Sequence, residues 1–152
     1  MPANLHSVAR ELDEWLLSRY LPKWVAIGNG GRDDTAAILE YWGAPMHAVA
    51  PGKTGWLMTP DAVLDLLAHI HTRLRAGGYT HTDVLDKDIT VYCEDAASIE
   101  ALWSRCRADG SEIEREAVHF NVHRTAAGWR VVSLVGVQTS AERLHEVWRR
   151  DR

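Results

Sequence analysis

Phenylalanine is almost missing from this chain: one Phe stands against seven Trp and four Tyr. Lysine is scarce too, limited to Lys23, Lys53 and Lys87, and the other basic residues are arginines. Cysteine is limited to Cys93 and Cys106, in no metal or redox spacing. No run approaches the about 18 apolar residues of a membrane span. Each shortage excludes something. With Lys+Arg at 17, Asp+Glu at 21 and a net charge of −4, no basic excess exists to neutralise phosphates. Nucleic acid is therefore a poor partner. The start of the chain has no basic segment followed by an apolar run, so it does not read as a signal peptide. Two unpaired cysteines fit a reduced, cytoplasmic protein.

What is present is an ordinary globular composition, 46% hydrophobic and 25% charged over 152 residues. That length reads as one domain, 1–152, large enough for its own core. The preference for Trp over Phe places large rings that each carry a polar edge.

Leu5, Val8, Ala9, Leu12, Trp15 and Leu16 follow the spacing of an amphipathic helix. Asn4 can cap it and Pro22 is expected to limit it, with a short helical piece over 23–27. Asp33 or Asp34 can cap a second helix running through Ala37, Ile38, Tyr41 and Trp42 to Gly43. Short strands are expected over 45–50 and 54–58. Thr59, Pro60 and Asp61 make a strong helix start, and Val63, Leu66, Leu67, Ile70 and Leu74 form its buried stripe up to Gly77 and Gly78. The rest reads as strands over 79–92, 98–107, 111–124 and 129–138, with Asp109 and Gly110 as a hairpin turn. Thr139 and Glu142 suggest a capping box for a terminal helix. This order predicts an α+β fold: a curved antiparallel sheet wrapped around a long helix, with a ligand site in its mouth.

Arg107-Ala108-Asp109-Gly110, then His119-Phe120, then Gly128-Trp129-Arg130-Val131-Val132 resemble the nuclear transport factor 2-like superfamily. That group includes the ketosteroid isomerases and the SnoaL-like proteins. The resemblance covers 5–137 and lies with a branch of domains of unknown function. It implies a cystatin-like, cone-shaped α+β barrel, a cavity for a small apolar or aromatic molecule, a homodimer and no cofactor. It does not imply one activity, because the fold hosts enzymes and binding modules alike. Ketosteroid isomerases carry a carboxylate base where this chain has Val49-Ala50-Pro51, and their helical tyrosine falls near Trp15. The acid–base–acid set of limonene epoxide hydrolase has no counterpart. His81 resembles the histidine that scytalone dehydratase uses after its long helix.

Histidine is suited to proton transfer near neutral pH, and the chain has eight. His81 is the first catalytic candidate; Asp83 shares its strand face and either orients it or is plain polar surface. His119 is the second, but its face depends on register. Counted from Gly110, Ala117, His119 and Asn121 point inward; counted from Gly128, Val118, Phe120 and Val122 do. Tyr41, His47 and Asn121 are candidate pocket residues. Of the tryptophans, at least one of Trp15, Trp56 and Trp103 is expected to line the cavity. Metal binding is not expected: His69 and His71 diverge by about 200° on a helix, and His119 and His123 are about 13 Å apart on a strand. Gly52-Lys53-Thr54 and Gly28-Asn29-Gly30-Gly31 lack the context of phosphate-binding loops. Two readings stand: a cofactor-free lyase, isomerase or hydrolase using histidine, or a non-catalytic ligand-binding or dimerisation module.

Overall fold

The computed structural model describes residues 4–30 and 34–151. Helix α1 spans Leu5–Glu14, and the Asn4 side chain accepts from the backbone N–H groups of His6 and Ser7. The chain does not leave the helix at Pro22. It runs through a π-helical turn, Trp15–Tyr20, directly into α2, Leu21–Gly28. The Leu21 N–H bonds to the Leu16 carbonyl, so the ladder has already widened before the proline. Pro22 then occupies the first turn of α2, where a missing N–H costs little.

The expected helix through Trp42 is a short 3-10 turn, Thr35–Glu40, capped by Asp34; Asp33 lies outside the described residues. The sheet takes over at its end: the Val131 N–H donates to the Tyr41 carbonyl at 2.7 Å, and Trp42 opens β1, Trp42–Ala50. Strand β2 is Lys53–Leu57 and α3 is Pro60–Ala76, with Thr59 accepting from the Ala62 N–H. Then follow β3 (Tyr79–Cys93), β4 (Ala96–Arg107), β5 (Glu112–Thr125) and β6 (Gly128–Gln138). Gly110 holds a φ of 85° in the β4–β5 turn, a conformation that glycine adopts without strain. No terminal helix forms from the Thr139–Glu142 pair. Thr139 Oγ1 accepts from the Ala141 N–H, and only a 3-10 turn, Leu144–Glu146, follows. The Leu144 N–H is held by the Asp86 carboxylate at 2.9 Å, which ties the tail to the sheet.

The six strands lie in the order β2-β1-β6-β5-β4-β3. All neighbours are antiparallel except β1 and β6, which are parallel. The first and last strands thus meet in the middle of a curved sheet that stays open at β2 and β3. Its concave face packs on the helices: Leu12, Leu16, Leu67 and Leu74 are fully buried against Ile99, Trp103, Val118 and Phe120. Each such leucine contributes about 2 kcal/mol by burial. A smaller cluster, Leu102, Ala117 and Leu144 with Val147 and Trp148, lies on the convex face under the tail. Among the described residues no helix is long and apolar enough to cross a membrane.

Candidate functional site

The β4–β5 register decides which side chains enter the cone. Ala101 pairs with Val118, Trp103 with Glu116 and Arg105 with Glu114. The inward set on β5 is therefore Glu114, Glu116, Val118, Phe120 and Val122. This selects the phase counted from Gly128, and it corrects the inward placement of His119 and Asn121. His119 lies on the convex face, its Nδ1 3.1 Å from Glu100 Oε2. Asn121 is exposed there and donates to Ser133 Oγ at 2.7 Å.

The cone itself is nearly full. Tyr20, Trp24, Trp42, Trp103, Arg105 and Phe120 border a cavity of about 40 Å³. Ligand pockets take about 300–1,000 Å³, so this space is too small for a metabolite. The Trp42 indole N–H donates to the Tyr20 hydroxyl at 3.1 Å. Burial raises the Tyr20 phenol far above its ordinary range. Tyr20 stacks on Trp15 with ring centroids 5.4 Å apart. The π turn brings these residues, five apart, onto one side of the helix. A tyrosine thus reaches the cone from the first helical segment, although Trp15 stands at the position where the resemblance places one.

Charge is buried beside that cavity. The Arg105 guanidinium lies over the Trp24 ring at 4.2 Å, with its Nε 3.4 Å from Glu114 and its Nη2 3.3 Å from Glu116. Glu114 also takes both terminal nitrogens of Arg73, at 2.8 and 3.1 Å, and the Gln138 amide at 2.8 Å. Sequence reasoning missed Arg105, Glu114, Glu116 and Tyr20. The signal available was a line of charges on alternate strand positions, which reads as solvated surface until the register is known. His71 is buried, with neither ring nitrogen hydrogen-bonded. Burial first, then Arg75 and Arg105, push its pKa down to about 4, so it is neutral at pH 7. It does not border the cavity.

A larger recess of about 380 Å³ lies outside the cone, between the first helical segment and the β5–β6 turn. Trp15, Tyr41 and Trp129 contribute rings to its lining, with Glu14, Glu40 and Arg19 around them. Glu11 closes one side. Its carboxylate accepts two bonds from Arg124, at 2.7 and 3.1 Å, and one from the Trp129 indole at 3.0 Å. The hydrogen-bonded Arg124 guanidinium holds the Glu11 carboxyl below its ordinary range. Trp15 and Tyr41 therefore meet in this outer cleft, while Trp103 borders the inner cavity. Trp56 does neither: it is 67% exposed on β2, with its ring 4.6 Å from that of His47. His47 Nε2 is 3.0 Å from Thr54 Oγ1 within the same hairpin, away from both spaces.

His81 is also outside the cone. It pairs with Cys106 across β3 and β4, on the convex face. His81, Asp83 and Cys106 bring one ligand atom each within 4.8 Å of one another, a grouping able to hold a metal ion. The two histidines put forward as catalytic thus share neither the cone nor the outer cleft.

Comparison with known proteins agrees with this architecture. A family model described as NTF2-like protein (DUF6841) matches residues 10–139. None of the curated proteins matches. An NTF2-like protein with a cystatin-like fold from Novosphingobium aromaticivorans superposes with a TM-score of 0.61 at 24% identity, over 91% of this chain and 90% of that one. A putative calcium/calmodulin-dependent protein kinase II association domain from Xanthomonas campestris gives 0.59 at 9% identity, over 91% and 89%. A ketosteroid isomerase-like protein from Erwinia carotovora atroseptica gives 0.52 at 13%, over 78% and 89%. With its open curved sheet packed on the long helix and its match to the family model, the chain belongs to the NTF2-like proteins of the DUF6841 family.

Proposed function

We propose that this protein is a non-catalytic binding module whose ligand occupies the outer cleft rather than the cone. The carrying observation is the contrast in volume, about 40 Å³ inside the cone against about 380 Å³ in the cleft. Of the two, only the second reaches the range of small-molecule sites; surface recesses of about 620 and 490 Å³ reach it as well, but the cleft groups three aromatic rings, Trp15, Tyr41 and Trp129. The separation of His81 and His119 from both spaces supports a role without histidine acid–base chemistry. One structural neighbour is an association domain by name, which fits a fold that also serves binding.

The lining sets the ligand class. Trp15 and Tyr41 offer ring surfaces, Glu14 and Glu40 carboxylates, and Arg19 a guanidinium. Glu11 is already taken by Arg124, and Arg130 is turned onto the carbonyls of Trp129 and Ala127. A small zwitterion with a flat apolar body satisfies both signs and the rings. Free thiols at Cys93 and Cys106 support a reducing, cytoplasmic setting for it.

The test is a titration of the labelled protein with tryptophan and phenylalanine, followed through the indole N–H signals. Saturable shifts at Trp15 and Trp129 are expected, and Glu14→Ala or Arg19→Ala should weaken binding about tenfold. Shifts confined to Trp24, Trp42 and Trp103 would place the ligand in the cone and overturn the proposal.

A further inference from the structure

The convex face of β3 and β4 carries a group of side chains that the outer cleft does not use. His81 and Cys106 are register partners, and Asp83 lies opposite Ser104, one pleat along. Register shifts occur on both sides of the pair, between Tyr79 and His81 on β3 and at Arg105/Cys106 on β4 against β5. Such irregularities re-aim side chains. Here they turn an imidazole, a carboxylate and a thiol toward one point. His81 Nε2 is 4.0 Å from Asp83 Oδ1, and the Cys106 thiol is 3.7 Å from Asp83 Oδ2.

The imidazole is anchored through one nitrogen, which leaves the other free for a metal. The Thr80 hydroxyl donates to the Cys106 carbonyl at 3.3 Å. The same hydroxyl oxygen lies 2.8 Å from His81 Nδ1. With Nδ1 engaged by Thr80, Nε2 is the atom that faces Asp83. An imidazole fixed through its other nitrogen is the usual outer partner arrangement of a metal-ligating histidine.

We propose that His81 Nε2, an Asp83 carboxylate oxygen and Cys106 Sγ form a binding site for Zn²⁺. Zinc–ligand bonds of about 2.0–2.3 Å at tetrahedral angles put the nitrogen and oxygen about 3.4 Å apart, and the sulfur and oxygen about 3.6 Å apart. The nitrogen lies 4.0 Å from one Asp83 oxygen and the sulfur 3.7 Å from the other, and all three ligand atoms lie within 4.8 Å of one another, so metal binding requires the partly exposed His81 and Asp83 side chains to rotate inward onto one oxygen. One sulfur, one nitrogen and one oxygen ligand suit zinc better than magnesium or calcium, which take oxygen sets. The ligands carry two negative charges once the thiol proton has left to solvent, matching the dication. Cys106 is buried whereas His81 and Asp83 are partly exposed, so the fourth position opens to water. Cys93 lies twelve residues further along β3, about 40 Å away at strand rise, and cannot join. The site ties β3 to β4 and stands independently of the cleft ligand.

The test is absorbance titration of the full chain with Co²⁺, followed by displacement with Zn²⁺. One Co²⁺ per chain is expected, with a thiolate-to-cobalt charge-transfer band that Zn²⁺ bleaches. Cys106→Ser should abolish that band, and His81→Ala and Asp83→Asn should each weaken binding by more than about tenfold. Thr80→Val, which removes the group anchoring the ring through Nδ1, should weaken it by about tenfold. Cys93→Ser should change nothing. If Cys106→Ser fails to fold, as judged by circular dichroism, the substitutions at partly exposed His81 and Asp83 decide. No band saturating at one equivalent, a band that survives both His81→Ala and Asp83→Asn, or one lost in Cys93→Ser overturns the site.

Discussion

His71 packs edge-on against Trp24, with ring centroids 4.3 Å apart and an interplanar angle of 73°. Neither imidazole nitrogen has a hydrogen-bond partner, and burial, with Arg75 and Arg105 adding to it, lowers the pKa to about 4. In the unfolded chain the ordinary value is about 6.5. Between those values the unfolded state holds a proton that the folded state does not, so stability falls as pH falls. The loss is absent above about pH 6.5 and nears completion below pH 4, amounting to about 3 kcal/mol. Urea unfolding at pH 7 and pH 4.5 should show this fall. His71→Leu should flatten it while leaving stability at pH 7 undiminished, because two unpaired buried nitrogens are removed. An unchanged pH slope in that variant would show that His71 is not the titrating group.

Gly28 exists in its present form because of the same ring. A Cβ added there would lie 2.9 Å from His71 Nε2 and 3.1 Å from Tyr79 Cε2. Elsewhere in a helix Gly→Ala stabilises by about 0.5–1 kcal/mol. At this position Gly28→Ala should instead cost about 1–3 kcal/mol, since both rings are packed and cannot retreat. Combined with His71→Ala, the same substitution should cost markedly less. A double-mutant cycle by urea unfolding reads this coupling, and additive losses would show that the clash is not at His71.

The legible parts of this fold were those written in local periodicity and punctuation. Leu5 to Leu16 and Val63 to Leu74 repeat at helical spacing, and Thr59, Gly77 and Gly110 mark ends through their own chemistry. Where contacts distant in sequence compete, local signals lost. Trp42 continues the helical pattern from Ile38, but it is drawn into β1 by pairing beside Val131. The parallel meeting of β1 and β6 has no local signature at all. The same limit applied to the sites. Trp15 and Tyr41 are legible as candidates from residue type, but only the fold shows that they meet in one cleft outside the cone. His119 changed face with one step of register. Cys106 had no metal spacing because its companions His81 and Asp83 come from the neighbouring strand.

Arg105 is the most exacting polar residue in the cone. Its side chain is 5% exposed, between Glu114, Glu116 and the Trp24 ring. Removing one partner of a buried ion pair costs about 3–5 kcal/mol because the other charge stays behind. Glu114 retains Arg73 and Gln138 here, so Arg105→Met should cost about 3 kcal/mol, at the weaker end of that range. Arg105→Lys should recover less than half, because an ammonium cannot span two carboxylates and cover an indole at once. Chemical denaturation measures both. A lysine variant as stable as the parent would reduce the requirement at this position to charge alone.

The tail after β6 covers part of the convex sheet face. Leu144 is buried against Leu102 and Ala117, with Val147 and Trp148 beside it, and Arg150 is hydrogen-bonded to Glu100. Glu100 is also the partner of His119, so tail and sheet share one carboxylate. Deleting residues 142–152 uncovers Leu102 and Ala117 on a face where Leu85 is already partly exposed. An apolar patch of that kind favours association. The truncated chain should therefore self-associate more strongly than the intact chain in sedimentation velocity at equal concentration. Arg150→Ala alone removes one part-buried ion pair but uncovers no apolar side chain, so it should leave association unchanged. If truncation leaves the sedimentation profile of the folded protein unaltered, the convex face does not pair and any homodimer uses another surface.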